Sequence, residues 1–138
     1  MGGGGSFAYA LHHPELFSSA CPLSAATGPL DLEVTKAQIK RGQDSTATAA
    51  QVEAYYKQQS ALYMINNIPD DQKKAVRWYI DCGDDDFLFE GNSLVHIAMR
   101  KKEIPHEFRI RNGGHTWTYW REALPDVLAF ISQAFHQY

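Results

Sequence analysis

Three segments of the chain carry the hydrophobic pattern of β-strands. Residues 75–83 form an apolar run rich in β-branched and aromatic side chains, with charged residues on both sides. Residues 16–23 form a second short apolar run, and residues 106–111 alternate polar and apolar side chains with a period of two. We therefore expect two buried strands and a third strand that is half exposed near a sheet edge.

Helical segments separate these strands. Residues 7–14 are compatible with a helix, and Thr48 is a good N-cap for a longer helix that ends at residues 66–69. A third helix is predicted over residues 94–99, and Pro125 is expected to begin the last one. The alternation of strands and helices predicts an α/β fold in which helices cover a parallel sheet.

One long segment fits neither pattern. From Ser24 to Ser45 the apolar density falls, and Gly28, Pro29 and Gly42 interrupt this stretch. Excursions of this length outside a sheet are usually either functional or disordered. We expect residues 1–138 to form one domain in which residues 24–60 are a cap or insertion.

Composition narrows the class of protein. With 44% hydrophobic and 21% charged residues, the chain has the balance of one globular domain. Its net charge is −3 and its longest basic run is Arg100 to Lys102, so we expect no nucleic-acid partner. Its apolar runs are too short to span a membrane, so we expect no membrane partner either. Cys21 and Cys82 both lie in apolar runs, and we expect them to be reduced and buried on strands. The sequence leaves the compartment and homo-oligomerisation open.

The glycine run at residues 2–5 has two interpretations. Gly-Gly-Gly-Gly-Ser is a common engineered flexible linker. Alternatively, glycines at a strand-to-helix turn allow the backbone to approach a neighbouring element or a ligand closely, as they must behind a nucleophile on a sharp turn. The sequence alone does not decide between the two.

Two strand ends carry residues with catalytic potential. Asp84, Asp85 and Asp86 follow the strand at residues 75–83, and His115 follows the strand at residues 106–111. Carboxylates and an imidazole at the carboxyl ends of neighbouring parallel strands can form a hydrogen bond, which fixes the tautomer and raises the basicity of the histidine. We therefore consider the acidic loop with Asp86 and the histidine His115 as two parts of a catalytic triad. The simpler alternative is that the three aspartates form a solvated turn that caps the next helix.

A metal site is a further alternative for the same residues. Asp84, Asp85, Asp86 and His115 offer oxygen and nitrogen ligands, but their spacing matches no zinc or calcium motif. We expect no metal and no cofactor.

Three blocks carry a family resemblance. They are MGGGGSFA at residues 1–8, WYIDCGDDDFL at residues 78–88 and GGHTWTYW at residues 113–120. Together they resemble the C-terminal half of an α/β-hydrolase of the putative esterase family, which includes esterase D, tributyrin-esterase-like and feruloyl-esterase-like enzymes. The resemblance covers essentially the whole chain and starts just after the nucleophilic serine of the family motif Gly-x-Ser-Met-Gly-Gly.

The resemblance implies specific roles. Asp86 falls on the catalytic acid of the motif Gly-x-x-Asp-Phe-Leu, and His115 falls on the base of the motif Gly-Gly-His. The backbone N–H of Met1 would be one oxyanion donor, and Trp117 and Trp120 would line the substrate pocket. The implied activity is that of a serine carboxylesterase that hydrolyses small acyl esters through an acyl-enzyme, with acetyl or feruloyl esters of plant polysaccharide as candidate substrates.

The nucleophile has no counterpart in the sequence. Ser6 lacks the Gly-x-Ser-x-Gly frame that places a serine at the tip of a sharp turn. We therefore expect the chain alone to be inactive and to need a missing N-terminal half of the fold as its partner. The alternative hypothesis is a non-catalytic truncated chain or a binding module.

Overall fold

The computed structural model describes residues 1–42 and 46–136. Three parallel strands form one sheet in the order β1, β2, β3. The elements in chain order are α1 (Gly2–His12), β1 (Ser19–Ala20), α2 (Leu32–Arg41), α3 (Ala49–Gln59), α4 (Ala61–Asn66), a 3₁₀ turn (Asp70–Gln72), β2 (Arg77–Gly83), α5 (Phe89–Lys101), β3 (His106–Arg111) and α6 (Trp117–Phe135). The predicted α/β architecture is confirmed.

Strand β2 is the centre of the sheet and separates two apolar layers. Its side chains alternate between the faces, as the pleat requires. Trp78 and Ile80 pack with α1, α4 and α5 on one face, whereas Tyr79 packs with Phe130 of α6 on the other. Every residue of β2 after Arg77 is buried, which explains the continuous apolar pattern of this strand. Strand β3 is half exposed, as predicted.

Strand β1 is much shorter than the predicted run at residues 16–23. Leu16 is exposed, and only Ser19 and Ala20 pair regularly with β2. Pro22 has no N–H to donate, so pairing continues beyond it only at isolated points. The carbonyl of Pro22 accepts from the N–H of Asp81 at 3.2 Å, and the N–H of Ser24 donates to the carbonyl of Asp81 at 2.8 Å.

The long helix predicted from Thr48 to about Asn66 is two helices, the second of which ends at Asn66. Thr48 is the predicted N-cap: its hydroxyl accepts from the N–H of Gln51 at 3.2 Å, and the Gln51 side chain accepts from the N–H of Thr48 at 2.8 Å. The helix then breaks at the buried Ser60, whose hydroxyl caps α4. The break follows from a long-range contact, because the N–H of Ala61 donates to the carbonyl of Thr27 instead of bonding within a helix.

Two other helices begin earlier than predicted. Helix α5 begins at Phe89 rather than at residue 94. Helix α6 begins at Trp117, with the Thr116 hydroxyl as its N-cap acceptor, and Pro125 lies inside the helix instead of beginning it. The capping threonine directly after His115 is the signal for this boundary.

The glycines at residues 2–5 belong to helix α1. A Cβ on Gly3 would lie 2.4 Å from the carbonyl oxygen of Leu23, and one on Gly4 would lie 2.6 Å from the carbonyl oxygen of Ala26. The helix therefore lies directly on the backbone of residues 23–26. This packing supports close approach, rather than linker flexibility, as the reason for the glycines.

We expect Gly3→Ala to destabilise the fold by about 1–3 kcal/mol, because the new methyl group would overlap a backbone carbonyl. Gly2→Ala is the matched control, since a Cβ there meets no described atom within 4 Å. That change should be neutral or stabilise the helix by up to about 1 kcal/mol. Equal unfolding midpoints in denaturant for the two variants would show that the helix does not pack as described.

The two cysteines are free thiols, and they differ in position. Cys82 is buried on β2, where burial raises its pKa to about 12. Cys21 follows the end of β1 and is half-buried, so the prediction that it lies buried on a strand is wrong. Burial also raises the pKa of Cys21, to about 11, and both thiols are therefore poor nucleophiles at neutral pH.

Within the two described ranges, no helix is both long and apolar enough to span a bilayer.

Candidate active site

The three aspartates after β2 differ sharply in their surroundings. Asp86 is buried, and its Oδ1 accepts from the N–H of Leu88 at 2.9 Å. Asp84 and Asp85 are exposed. Of the three, Asp86 is therefore the one that turns its carboxylate into the protein.

The other Asp86 oxygen meets His115. Asp86 Oδ2 lies 2.9 Å from Nδ1 of His115, although the two residues come from different strand ends. Because the carboxylate can only accept, Nδ1 carries the proton, and the neutral imidazole presents an unprotonated Nε2. The His115 side chain is 30% exposed and lines the adjoining cavity. The expected contact between Asp86 and His115 is present.

Asp84 and Asp85 hold the loop that carries His115. The Asp84 carboxylate accepts from the N–H of Gly113 at 2.9 Å, and the N–H of Asp85 donates to the carbonyl of Gly113 at 3.0 Å. Gly113 has a φ of 139°, a conformation that only glycine adopts without strain. Two hydrogen bonds to Gly113 therefore hold the loop after β2 against the loop after β3.

No cluster of three or more histidine, cysteine, aspartate or glutamate residues within residues 1–42 and 46–136 is placed to hold a metal ion. The alternative of a metal site at Asp84, Asp85, Asp86 and His115 therefore has no support in the geometry. Asp84 uses its carboxylate on a backbone N–H instead.

Aromatic side chains surround the imidazole of His115. The ring of Trp120 meets it edge-on at a centroid distance of 4.9 Å, and the ring of Phe87 lies at 5.0 Å. Trp117 packs edge-on against Trp120 and is itself exposed. The indole N–H of Trp120 donates to the hydroxyl of Ser24 at 2.9 Å, so the start of the 24–60 segment holds this wall in place. The sequence pattern had not identified Phe87 and Ser24.

A cavity of about 510 Å³ joins these residues to the start of helix α1. Met1 and Gly2 line one side of it, and His115, Trp117 and Trp120 line another. In the described part of the chain no side chain caps the N-terminus of α1, so its first backbone N–H groups remain available to an anion. The structure therefore brings together Met1, His115 and both tryptophans, which the family resemblance assigns to one site.

Ser6 also borders this cavity. Its hydroxyl donates to the carbonyl of Gly2 at 2.9 Å, four residues earlier in the same helix. The serine therefore uses its proton within α1 and not on His115.

A buried polar network lies beneath the site. The carboxylate of Asp81 is fully buried on β2, where it accepts from the hydroxyl of Tyr119 and pairs with Arg111 Nη1 at 3.1 Å. Tyr79 completes the group: its hydroxyl lies 3.4 Å from Asp81 and 3.2 Å from Arg111. Burial and the bond to Asp81 raise the pKa of Tyr119, so its hydroxyl stays protonated and donates. The sequence signal for the network was an aspartate inside an otherwise apolar strand.

The architecture and the site together define the class of protein. Helices cover both faces of a parallel sheet, an aspartate and a histidine meet at adjacent strand ends, and a helix N-terminus opens into the same cavity. This is the arrangement of an α/β-hydrolase.

The chain belongs to the putative esterase family, whose sequence model matches residues 1–131. Among solved structures, a ferulic acid esterase is 30% identical with a TM-score of 0.75, and the match covers 96% of this chain and 48% of that protein. A fluorophosphonate-binding serine hydrolase F from Staphylococcus aureus is 22% identical, with a TM-score of 0.66 and coverages of 93% and 49%. An S-formylglutathione hydrolase from Staphylococcus aureus is 23% identical, with a TM-score of 0.66 and coverages of 93% and 46%.

The chain thus spans about half the length of these structures, and the two from Staphylococcus aureus support the fold alone. A comparison with curated proteins found no match.

Proposed function

We propose that the chain supplies the acid and the base of a serine carboxylesterase. The observation that carries this proposal is the 2.9 Å contact between Asp86 and Nδ1 of His115, at a cavity that also receives the N-terminus of α1. The contact leaves Nε2 of His115 as the proton acceptor. Family membership and the similarity to a ferulic acid esterase agree with this activity.

The mechanism has two steps. In the first, Nε2 of His115 takes the proton of a serine hydroxyl as its oxygen attacks the ester carbonyl. The imidazolium then gives that proton to the leaving alcohol as the C–O bond breaks, and an acyl-serine remains. In the second step, His115 activates water in the same way, which releases the acid and restores the serine. Asp86 holds the imidazole in orientation and stabilises its charged form.

The developing oxyanion needs hydrogen-bond donors. In a chain that continues upstream of Met1, the backbone N–H of Met1 is our candidate for one of them, because Met1 lies at the N-terminal end of α1 beside the cavity. The partial positive charge of the helix N-terminus would also stabilise the oxyanion.

We propose that the nucleophilic serine and the second oxyanion donor come from polypeptide outside residues 1–138. The internal bond of Ser6 and the missing Gly-x-Ser-x-Gly frame argue against Ser6. A groove of about 650 Å³ along the outer edge of β1 is a candidate binding site for that polypeptide. Tyr9, Phe17 and Ile131 give it apolar walls that a further strand could cover.

We propose esters with small or aromatic acyl groups as substrates, with acetyl and feruloyl esters as the first candidates. The aromatic side chains around His115 offer flat apolar surfaces against which a phenyl ring can stack. The 30% identity to a ferulic acid esterase agrees with an aromatic acyl group.

We propose that residues 24–60 form the cap of this site. Helices α2 and α3 lie within the segment, and residues 43–45 of it lie outside the described part of the chain. Ser24, at the start of this segment, accepts a hydrogen bond from Trp120, so a movement of the cap would also displace the wall of the pocket.

In a protein that includes the nucleophilic serine, we expect Trp117→Ala to raise KM for a feruloyl ester about three- to tenfold with little change for an acetyl ester, because an aromatic contact contributes about 0.5–1.5 kcal/mol. Phe135→Ala is the matched control: Phe135 is 70% exposed, like Trp117 at 71%, but lies at the other end of α6. Steady-state kinetics on both esters would check this. Equal changes in KM for the two variants would show that Trp117 does not contact the feruloyl group.

The proposed activity itself is tested with a nitrophenyl ester under pre-steady-state conditions. An acyl-enzyme predicts a burst of nitrophenol that equals the concentration of active sites, followed by slower turnover. The absence of hydrolysis by the protein, together with any polypeptide that purifies with it, would favour a binding module instead.

A further inference from the structure

The proposed mechanism uses Asp86 and His115 but leaves the buried Asp81 network without a role. A buried carboxylate paired with an arginine is not a reliable source of stability, because the cost of removing both charges from water offsets their attraction. The position of the network is more informative than its charge. Through Tyr119, which donates to Asp81, the network adjoins Gly113 in the loop that joins β3 to α6 and carries His115.

Tyr119 connects this network to the loop. Its ring lies against both glycines where the loop crosses β2: a Cβ on Gly113 would lie 2.9 Å from the ring, and one on Gly83 would lie 3.2 Å from it. Gly83 is equally close to the loop, since a Cβ there would lie 2.1 Å from the carbonyl oxygen of Gly113. The ring therefore fills the space that any displacement of Gly113 towards α6 would need.

The hydroxyl of Tyr119 fixes the ring in turn. It donates to Asp81, whose carboxylate is held by Arg111. The backbone N–H of Asp81 donates to Pro22, and its backbone carbonyl accepts from Ser24. Arg111 also forms an ion pair with Asp126 of α6. The hydroxyl of Tyr119 is thus bonded to the central strand β2, and its ring contacts Gly113, two residues before the proposed base His115.

We propose that Tyr119, anchored to the buried Asp81 carboxylate, is a positioning residue that holds the Gly113 loop so that Nδ1 of His115 stays on Asp86. The role rests on the proposed function, in which that contact orients the catalytic base. Tyr119 itself touches neither substrate nor the reacting atoms. It acts through the glycine loop.

The chain offers a matched control in Tyr79. Both tyrosines place a hydroxyl on the same carboxylate, and both are buried. The ring of Tyr79, however, packs against Phe130 and not against the glycine loop. Tyr119→Phe and Tyr79→Phe therefore each remove a hydroxyl from Asp81, but only the first loosens the ring that faces Gly113.

The experiment follows the Nδ1–H proton of His115 by NMR, in the full chain with any polypeptide that purifies with it. In the unmodified protein we expect a slowly exchanging downfield signal from the bond to Asp86. Tyr119→Phe should make this proton exchange about tenfold faster, which corresponds to about 1.4 kcal/mol less protection. Tyr79→Phe should leave the exchange rate within about twofold, and thermal melts of both variants would report their general loss of stability.

The proposal is overturned if the two variants change the His115 signal equally, because the network would then only stabilise the domain. It is also overturned if Tyr119→Phe lowers the melting temperature while the signal keeps its exchange rate. Ester hydrolysis is measured separately on the same samples. Absent hydrolysis with the expected NMR difference would count against the proposed function and leave the positioning role supported.

Discussion

In a protein extended upstream of Met1 so that it contains the nucleophilic serine, replacing His115 by alanine is expected to lower kcat/KM for a nitrophenyl ester by roughly 10³- to 10⁶-fold, because the imidazole is the group that would take the serine proton. Asp86 orients this imidazole through Oδ2. Loss of the ring would leave the acid without a function and the nucleophile without a base. Initial rates over a range of ester concentrations give the change directly.

The control for this variant is another exposed histidine. His13 follows α1 and faces Glu15 at 3.4 Å, outside the cavity that contains His115. His13→Ala should keep its activity within about twofold of the unmodified protein, as is usual for surface substitutions. A His115→Ala variant that kept more than about a tenth of its activity would remove His115 from the mechanism.

Asp86→Asn is expected to lower kcat by about 10⁴-fold while the fold is retained, as the same exchange does in the serine-protease triad. Asp86 Oδ1 accepts from the N–H of Leu88, so the asparagine would keep its oxygen there and turn its NH₂ towards His115. The imidazole could then only accept at Nδ1, which would place its proton on Nε2. That tautomer cannot take a proton from serine.

Asp85→Asn is the matched control, because Asp85 is exposed and contributes to the loop through its backbone N–H, which the asparagine retains. We expect less than about a twofold change for it. If Asp85→Asn lost as much activity as Asp86→Asn, the assignment of the acid would be wrong. Circular dichroism of both proteins would confirm that the comparison concerns folded chains.

The parallel α/β architecture and the contact between Asp86 and His115 could be predicted from the sequence. Both residues lie in the loop after a strand, and parallel strands end at the same edge of a sheet, so local patterns were sufficient to bring the acidic loop and His115 together. The resemblance to the putative esterase family is confirmed by the match over residues 1–131. It assigned Asp86, rather than its two neighbours, to the acid.

The remaining features depend on contacts between distant parts of the chain. The helix break at Ser60 arises from the bond between Ala61 and Thr27, which no local propensity reveals. The role of Asp84 in holding Gly113 also required the fold, because an exposed aspartate in a turn looks the same in sequence whether or not it bonds a distant backbone.

The Asp81 network joins residues from β2, β3 and α6. Asp81 is far in sequence from Arg111 and Tyr119, so no local pattern indicates that they meet. Phe87 was also missed, because its contact with His115 depends on how the two loops meet.

Our central claim is that Asp86 and His115 act on a serine that is not among residues 1–138. Labelling with a fluorophosphonate probe, followed by mass spectrometry of the modified peptide, tests it most directly, because the probe bonds covalently to an activated serine. The 138-residue chain and a protein from the same reading frame extended upstream of Met1 would be compared. We predict no adduct on the shorter chain, and an adduct on the serine immediately before Met1 that His115→Ala abolishes. An adduct on Ser6, with ester turnover that depends on His115, would contradict this claim.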